Sequence, residues 1–185
     1  MATNTRRRTR PWTRADLARL PDDGNRYEVL DGELFVTPQA AHRHQRTAFK
    51  LAHLLELWCI EHGVGYVVGP GAVIFGRNEL QPDVQVIPGP EPLGDVEWSD
   101  RPKAILVAEI LSDSTARRDT GKKRDAYLRI SIPTYWVVDA EHRHALVWTP
   151  SSTEPTMVTD ILRWQPRIDI PPLEIPLDSI FPPEQ

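Results

Sequence analysis

Two short, largely apolar runs at residues 27–30 and 33–36 read as strands, and Asp31-Gly32 between them is the dipeptide that most strongly signals a two-residue hairpin turn. Upstream, Thr13 offers an N-cap for a short helix over residues 14–20, which Pro21 and Asp22-Asp23-Gly24 bring to a stop. Over residues 43–62 the apolar side chains fall at Ala48, Leu51, Leu55 and Trp58, with Ala52 and Leu54 alongside. That is helical spacing, and Gly63 supplies the stop. The period then shortens to that of strands at 65–68, 72–75, 84–87 and 104–111. The last is an almost unbroken apolar run, as expected of a central strand covered on both faces. Residues 88–102, rich in Pro, Gly and acids, read as a surface loop. Ser112-Asp113-Ser114-Thr115 offers capping groups for a second helix over about 117–130. Strands at 135–138 and 145–149, joined by a turn, close the regular pattern. From Pro150 onward the prolines predict a wrapping tail with little regular structure. This order predicts an α/β (α+β) fold, a mixed sheet flanked by helices.

A chain of 185 residues suits one domain, here expected over 11–185 behind a disordered basic tail at 1–10. No apolar run approaches the ~20 residues of a membrane span and the N-terminus lacks a secretory pattern, so a cytoplasmic location is expected. Cys59 is the sole cysteine, which excludes an intrachain disulfide and a cysteine zinc cluster. Its neighbours Leu57, Trp58 and Ile60 point to a buried, unreactive thiol. The net charge of −4 argues against a protein that coats itself with nucleic acid. A site of metal-binding carboxylates, however, starts from a negative deficit. Basic residues cluster at Arg6, Arg7, Arg8 and Arg10, at Arg43 and Arg46, and at Arg117, Arg118, Lys122, Lys123 and Arg124. Neither G-x-S-x-G nor a glycine-rich phosphate loop occurs, so acyl transfer, nucleotide-dependent phosphoryl transfer and an organic cofactor are disfavoured.

The chemistry-bearing residues begin at Gln81-Pro82-Asp83, where an acid sits at the mouth of a strand. Glu109 is the sole charged residue of the run 104–111 and shares a strand face with Val107 and Leu111. Such a carboxylate costs several kcal/mol to desolvate unless it is paired or bound to a cation. The alternatives are a structural salt bridge to an arginine, or exposure at the strand end. Asp119, Lys123 and Tyr127, four apart, form one stripe on the second helix, which must fold back on the sheet. Two acids and a lysine suit metal-assisted phosphodiester hydrolysis, with oxygen ligands for Mg²⁺ and an ammonium for the developing charge. Two other patterns compete for attention. His42-x-His44 and His142-x-His144 have zinc-like spacing, but no acid or cysteine partner is apparent for the second pair. Trp136, Trp148 and Trp164 could stack on bases, although packing in a core is the preferred reading.

Several motifs in order, Tyr27-Glu28-Val29-Leu30-Asp31-Gly32-Glu33, Arg43-His44-Gln45, Gln81-Pro82-Asp83-Val84, Val107-Ala108-Glu109-Ile110-Leu111-Ser112, the trio Asp119, Lys123 and Tyr127, and Tyr135-Trp136-Val137-Val138-Asp139, resemble those of the Uma-two family in the PD-(D/E)XK nuclease superfamily. The resemblance covers roughly residues 12–150. It implies a restriction-endonuclease-like core and a Mg²⁺-dependent DNA endonuclease, with Mn²⁺ as an alternative metal. Asp83 and Glu109 would be the metal ligands, with the Ile110 carbonyl as a third. The superfamily's lysine two residues after the second acid is Leu111 here, and the resemblance assigns that role to Lys123, with Lys122 as its alternative. Glu28 is either a further ligand or water-orienting base, or an ordinary strand glutamate. His44 either contacts phosphate or moves a proton, or is simply exposed. Tyr127 either hydrogen-bonds Glu109 or Lys123, or packs in the core. Ser112 and Thr115 are expected to cap the helix and to steady Glu109. Restriction-like nucleases often dimerise, and the Trp- and Pro-rich C-terminal region is a candidate contact. Two competing readings are a non-catalytic module of the same fold binding nucleic acid or a protein partner, and a metal-dependent hydrolase of smaller phosphate compounds.

Overall fold

In the computed structural model, which describes residues 10–112 and 116–183, the Asp31-Gly32 turn is a hairpin turn as predicted. Both residues have positive φ, 49° and 86°, which is what a two-residue turn between right-twisted strands requires. It joins β1 (Arg26–Leu30) to β2 (Glu33–Thr37). These strands belong to a four-stranded sheet of order β2-β1-β5-β4, with β4 at Val73–Phe75 and β5 at Asn78–Leu80. β5 is absent from the sequence reading, because three residues with a polar start carry no readable alternation.

The larger sheet has six strands in the order β10-β9-β8-β7-β6-β3. Its members are β3 (Gly65–Val68), β6 (Val84–Pro88), β7 (Leu106–Ile110), β8 (Thr134–Asp139), β9 (His144–Trp148) and β10 (Thr156–Val158). β7 and β8 run parallel and the other neighbours antiparallel, so the sheet is mixed. Each face carries its own core. On one side α1 (His42–His62) lays Leu51, Leu55 and Trp58 over Val84, Val86, Ala108 and Trp136. On the other, Tyr127 and Ala126 pack against Val107, Tyr135, Val137 and Trp148, with Leu30 and Leu80 of the small sheet joining them. α1 ends as predicted, at Gly63 in the left-handed conformation. The first helix of the chain, Arg14–Arg19, is a 3-10 turn in which the Asp16 carboxylate accepts from the Thr13 N–H.

Two expectations need correction. The C-terminal region is not an irregular wrap. β11 (Ile161–Trp164) and β12 (Leu173–Pro176) form a hairpin, followed by α3 (Leu177–Ile180). Leu162, Trp164, Ile175 and Phe181 enter the α1-side core. The prolines at 166, 171 and 172 fall in the hairpin's connection, where no ladder hydrogen bond is lost. Trp164 packs on Trp58, 5.5 Å between ring centroids, so it offers no free face for a dimer contact. The second correction concerns His142, whose Nδ1 lies 2.9 Å from Asp139, the acid partner that the sequence did not make apparent. Asp139 also accepts from the N–H groups of Glu141 and His142, so the pair shapes a turn.

Other expectations hold. Trp136 and Trp148 are core residues, and Cys59 is fully buried, with burial first and Glu56 second pushing its thiol up to about 12. No described helix is long and apolar enough to cross a membrane. Of the expected tail, residues 1–9 lie outside the described residues, as do the capping candidates Asp113, Ser114 and Thr115. Arg10, also assigned to the tail, pairs with Asp16 at 2.7 Å.

Candidate active site

Asp83 and Glu109 meet because of sheet register. β6 and β7 pair with Val84 opposite Ala108, so Asp83, just before β6, and Glu109, next along β7, are brought to the same end of the strand pair. Pro82 would stand next in line opposite Ile110 and has no N–H with which to continue the ladder. There the Asp83 side chain takes over: its Oδ2 accepts from the Ile110 N–H at 2.8 Å. Arg26 Nη1 lies 2.7 Å from the Asp83 Oδ1, and His44 Nε2 lies 3.0 Å from Oδ2. Burial alone would raise the Asp83 carboxyl, but the His44 hydrogen bond, the Arg26 charge and the Ile110 N–H hold it well below the usual carboxylate range.

Close packing fixes where Asp83 stands. Gly69, just past β3, lies so near that a Cβ there would come within 2.2 Å of the Asp83 carbonyl oxygen. Backbone cannot rotate away as a side chain can. Gly69→Ala is therefore expected to lower stability by about 1–3 kcal/mol and to shift Asp83. Activity should fall further than the loss of folded protein explains, which urea unfolding and a DNA-nicking assay on the folded fraction would measure.

Glu109 faces the second helix. This segment opens as a π-helix, Arg118–Lys123, and tightens into α2, Arg124–Arg129, where the sequence predicts one continuous helix. The wider turn is local strain of a kind frequent at functional sites. It still presents Asp119, Lys123 and Tyr127 toward the sheet. Lys123 Nζ is completely buried and lies 2.8 Å from Glu109, 2.7 Å from Glu28 and 4.0 Å from Asp119. Tyr127 Oη donates to the same Glu109 oxygen at 3.2 Å. Lys122 instead reaches out to Glu33 at 2.6 Å, leaving Lys123 as the inward lysine. Leu111 packs against the second core beside Leu128 and Phe35.

The β1–β2 hairpin brings Glu28, which shares its strand face with Leu30 and points toward the lysine. Its Oε1 also accepts from the Gln81 N–H, and Arg118 lies 3.6 Å from its Oε2. The hairpin is tied down by ion pairs of Asp31 with Arg129 and of Glu33 with Lys122. Six sequence-proposed residues, Asp83, Glu109, Lys123, Glu28, His44 and Tyr127, thus fall into one connected network. Sequence reasoning missed Arg26 and underrated Arg118. An arginine at a strand start normally reads as solvated, and no local signal separates these two from the other arginines.

The charges do not balance evenly. Burial raises the Glu28 carboxyl, but Lys123, Arg26, Arg118 and the Gln81 N–H overcome that and lower it. Glu109, 1% exposed, is pushed up to about 8 by burial first, against the opposing charge of Lys123, with Asp119, Asp83 and Glu28 adding to the rise. Lys123 is raised despite its burial, held charged by Glu109, Glu28 and Asp119. Glu109 Oε2 is buried with no hydrogen-bond partner among the described residues. The orphaned Glu109 oxygen in an anion-rich place, with Asp83 nearby, is of the hard-oxygen kind that a divalent cation takes. Among the described residues no three His, Cys, Asp or Glu side chains form a cage.

Asp83, Arg26 and His44 form the floor of an open groove of about 620 Å³ between the start of α1 and the ends of β2 and β3. Glu109 and Lys123 are buried and do not line the groove.

Comparison with known proteins agrees with this architecture. A putative nuclease belonging to DUF820 from Anabaena variabilis, known from a crystal structure, superposes with a TM-score of 0.73 over 92% of this chain and 98% of its own, at 14% sequence identity. That likeness is one of fold. No curated protein matches the sequence. Residues 14–175 match the family Uma2, described as "Putative restriction endonuclease", and the chain belongs to that family.

Proposed function

We propose that the chain is an endonuclease that hydrolyses phosphodiester bonds of DNA with a divalent cation, Mg²⁺ or in its place Mn²⁺, held by Asp83 and Glu109. The observation that carries this reading is a buried Glu109, close enough to Asp83 to feel its charge, with Lys123 against it at 2.8 Å. Family membership supports the nuclease class. The Ile110 carbonyl is the proposed third protein ligand. When bound, such a cation lowers the pKa of water and polarises a phosphoryl oxygen.

The protein's own groups have separable roles in this mechanism. Asp83 stays ionised at any working pH because His44 and Arg26 hold it so. Lys123 keeps a buried positive charge that offsets charge developing on the phosphate. Tyr127 and Lys123 fix Glu109 through Oε1, leaving Oε2 as the oxygen to coordinate. Glu28 holds Lys123 in position from the opposite side. His44 lines the groove, and its proposed role is to exchange a proton through Asp83's side with a bound phosphate or water. Arg26 must release Asp83 for the cation to enter, and is then free to contact the phosphate.

A second reading, a module that binds nucleic acid without cutting it, is favoured by one observation: both Asp83 oxygens already have partners. Plasmid nicking separates the two. The expected result is cleavage that needs Mg²⁺ or Mn²⁺, stops with EDTA and disappears in Glu109→Gln, a variant that keeps the shape and hydrogen-bonding capacity of the side chain. Metal binding by calorimetry without cleavage of any DNA or RNA would leave the second reading standing. Cleavage confined to small phosphoesters would replace both. A dimer would supply one site per strand, so linear product forming directly rather than through a nicked intermediate is the outcome expected of an assembled pair.

A further inference from the structure

The groove above the site is built from side chains ill suited to a phosphate backbone. Its walls are Pro38, Ala40, Ala41, Ala48, Ala52 and Phe49, apolar side chains throughout. Small alanines leave a flat, open slot between the β2 end and the first turns of α1. At the rim Phe49 is 63% exposed, as other apolar side chains of α1, Leu57 and Ile60, also are. The Arg46 guanidinium sits over the Phe49 ring, 5.6 Å from its centroid, and the His53 ring lies parallel to it at 6.4 Å, so an aromatic plane is already stacked there. A few polar side chains, Thr37, Gln39, Gln45 and Ser112, interrupt the walls.

A duplex turns its phosphate ridge outward and keeps its base faces stacked inside, so it has nothing apolar to place in such a slot. An unpaired nucleotide has both parts. Its base presents a flat π-face for Phe49 and edge groups for the glutamines, and its phosphate presents charge to Arg46. The apolar slot leads directly down to Asp83, so a nucleotide seated there would bring its own phosphate to the acids. We infer that the groove is a binding site for an unpaired nucleotide of single-stranded DNA, with its base stacked on Phe49 and its phosphate steered by Arg46. This deepens the nuclease reading, on which it rests for the identity of the polymer, by naming single-stranded or unpaired DNA as the substrate.

Binding without turnover tests it. Fluorescence anisotropy in EDTA would compare a single strand of about 15 nucleotides with a duplex of the same sequence. The expected result is single-strand affinity about tenfold or more above that of the duplex. Phe49→Ala should lose about tenfold for the single strand, while Phe49→Trp retains binding. A 2-aminopurine placed in the strand should be quenched on binding to the native protein and to Phe49→Trp, and not by Phe49→Ala. Phe49 is exposed, so the alanine variant is expected to fold as the parent does.

Equal affinity for duplex and single strand, or a Phe49→Ala variant that binds the single strand as tightly as the parent, overturns the inference. Tight binding of single-stranded RNA with none of DNA overturns it as well. The two readings fail separately. Selective, Phe49-dependent binding with no cleavage in Mg²⁺ sinks the nuclease and leaves the groove assignment. Cleavage of duplex that is indifferent to Phe49 does the reverse.

Discussion

Replacing Lys123 by methionine is expected to cost about 3–5 kcal/mol of stability, the largest loss of any single polar substitution in the chain. Methionine fills much the same volume, so the effect isolates the charge. Without the ammonium, Glu28 and Glu109 lose their shared partner at 2.7 and 2.8 Å, and Asp119 loses a cation at 4.0 Å. The Glu28 and Asp119 carboxylates and the Glu109 carboxyl, already raised to about 8, are then left without that cation in a place sealed from water. Urea unfolding at neutral pH would read the change. The sign with pH follows from the raised pKa of Lys123: its contribution is present in full below the ordinary lysine value of about 10.4 and is lost only as pH climbs through the higher folded value. Adding Glu109→Gln to the methionine variant removes one of the stranded acids, so the double variant should recover part of the loss. A double-mutant cycle with strictly additive costs would contradict the assigned network.

Asp83→Asn should have the largest effect on activity, a loss of about a thousandfold, equivalent to ~4 kcal/mol in the barrier. The amide is nearly isosteric, and its oxygen can still accept from the Ile110 N–H. What it cannot do is carry the negative charge that the proposed cation requires or pair with Arg26. Stability should fall by about 1–3 kcal/mol, because a half-buried guanidinium loses its charged partner. The variant's response to acid is a second readout. The native Asp83 carboxyl lies below its ordinary value, so it stabilises the fold above the unfolded carboxylate pKa, and that contribution drains away as pH falls toward the folded one. Between pH 5 and 2, about the range over which an unfolded aspartate protonates, the difference between native and Asn proteins should shrink. An activity loss below tenfold would remove Asp83 from the metal site.

The two substitutions act on opposite sides of the same boundary. Asp83 lines the groove, whereas Lys123 and Glu109 are buried and do not line it. Under the proposed function one cluster is then both a stability element and a reaction centre. The buried acids that make a cation welcome also make the empty network depend on Lys123, Arg26 and Arg118.

Much of this arrangement was legible in the sequence. The helical spacing of Leu51, Leu55 and Trp58 gave α1 to within a residue at its start, since a three-to-four repeat is a local property of the chain. Asp31-Gly32 marked the hairpin for the same reason: left-handed backbone is needed there and few residue pairs accept it. Glu109 stood out because one carboxylate inside an apolar strand demands a partner wherever the chain folds. Lys123 and Tyr127 followed from their spacing.

Other features depended on residues distant in sequence. β5 and the C-terminal hairpin are too short and too interrupted by proline to show a period, and they form because neighbours pair with them or cover them. The register that brings Asp83 and Glu109 to the same end of the strand pair is fixed between β6 and β7, more than twenty residues apart. Arg26 and Arg118 became part of the site through folding alone, for an arginine's reach is decided by what packs around it. The sequence by itself determined which charged residues must find partners in the core and which segments form the long helix and central strand, because propensity, turn geometry and the cost of burying charge are written locally. Only the tertiary structure decided which charges neutralise which, which acid is left short of a cation, and where a groove opens above it, because these depend on distances between elements that the chain brings together late.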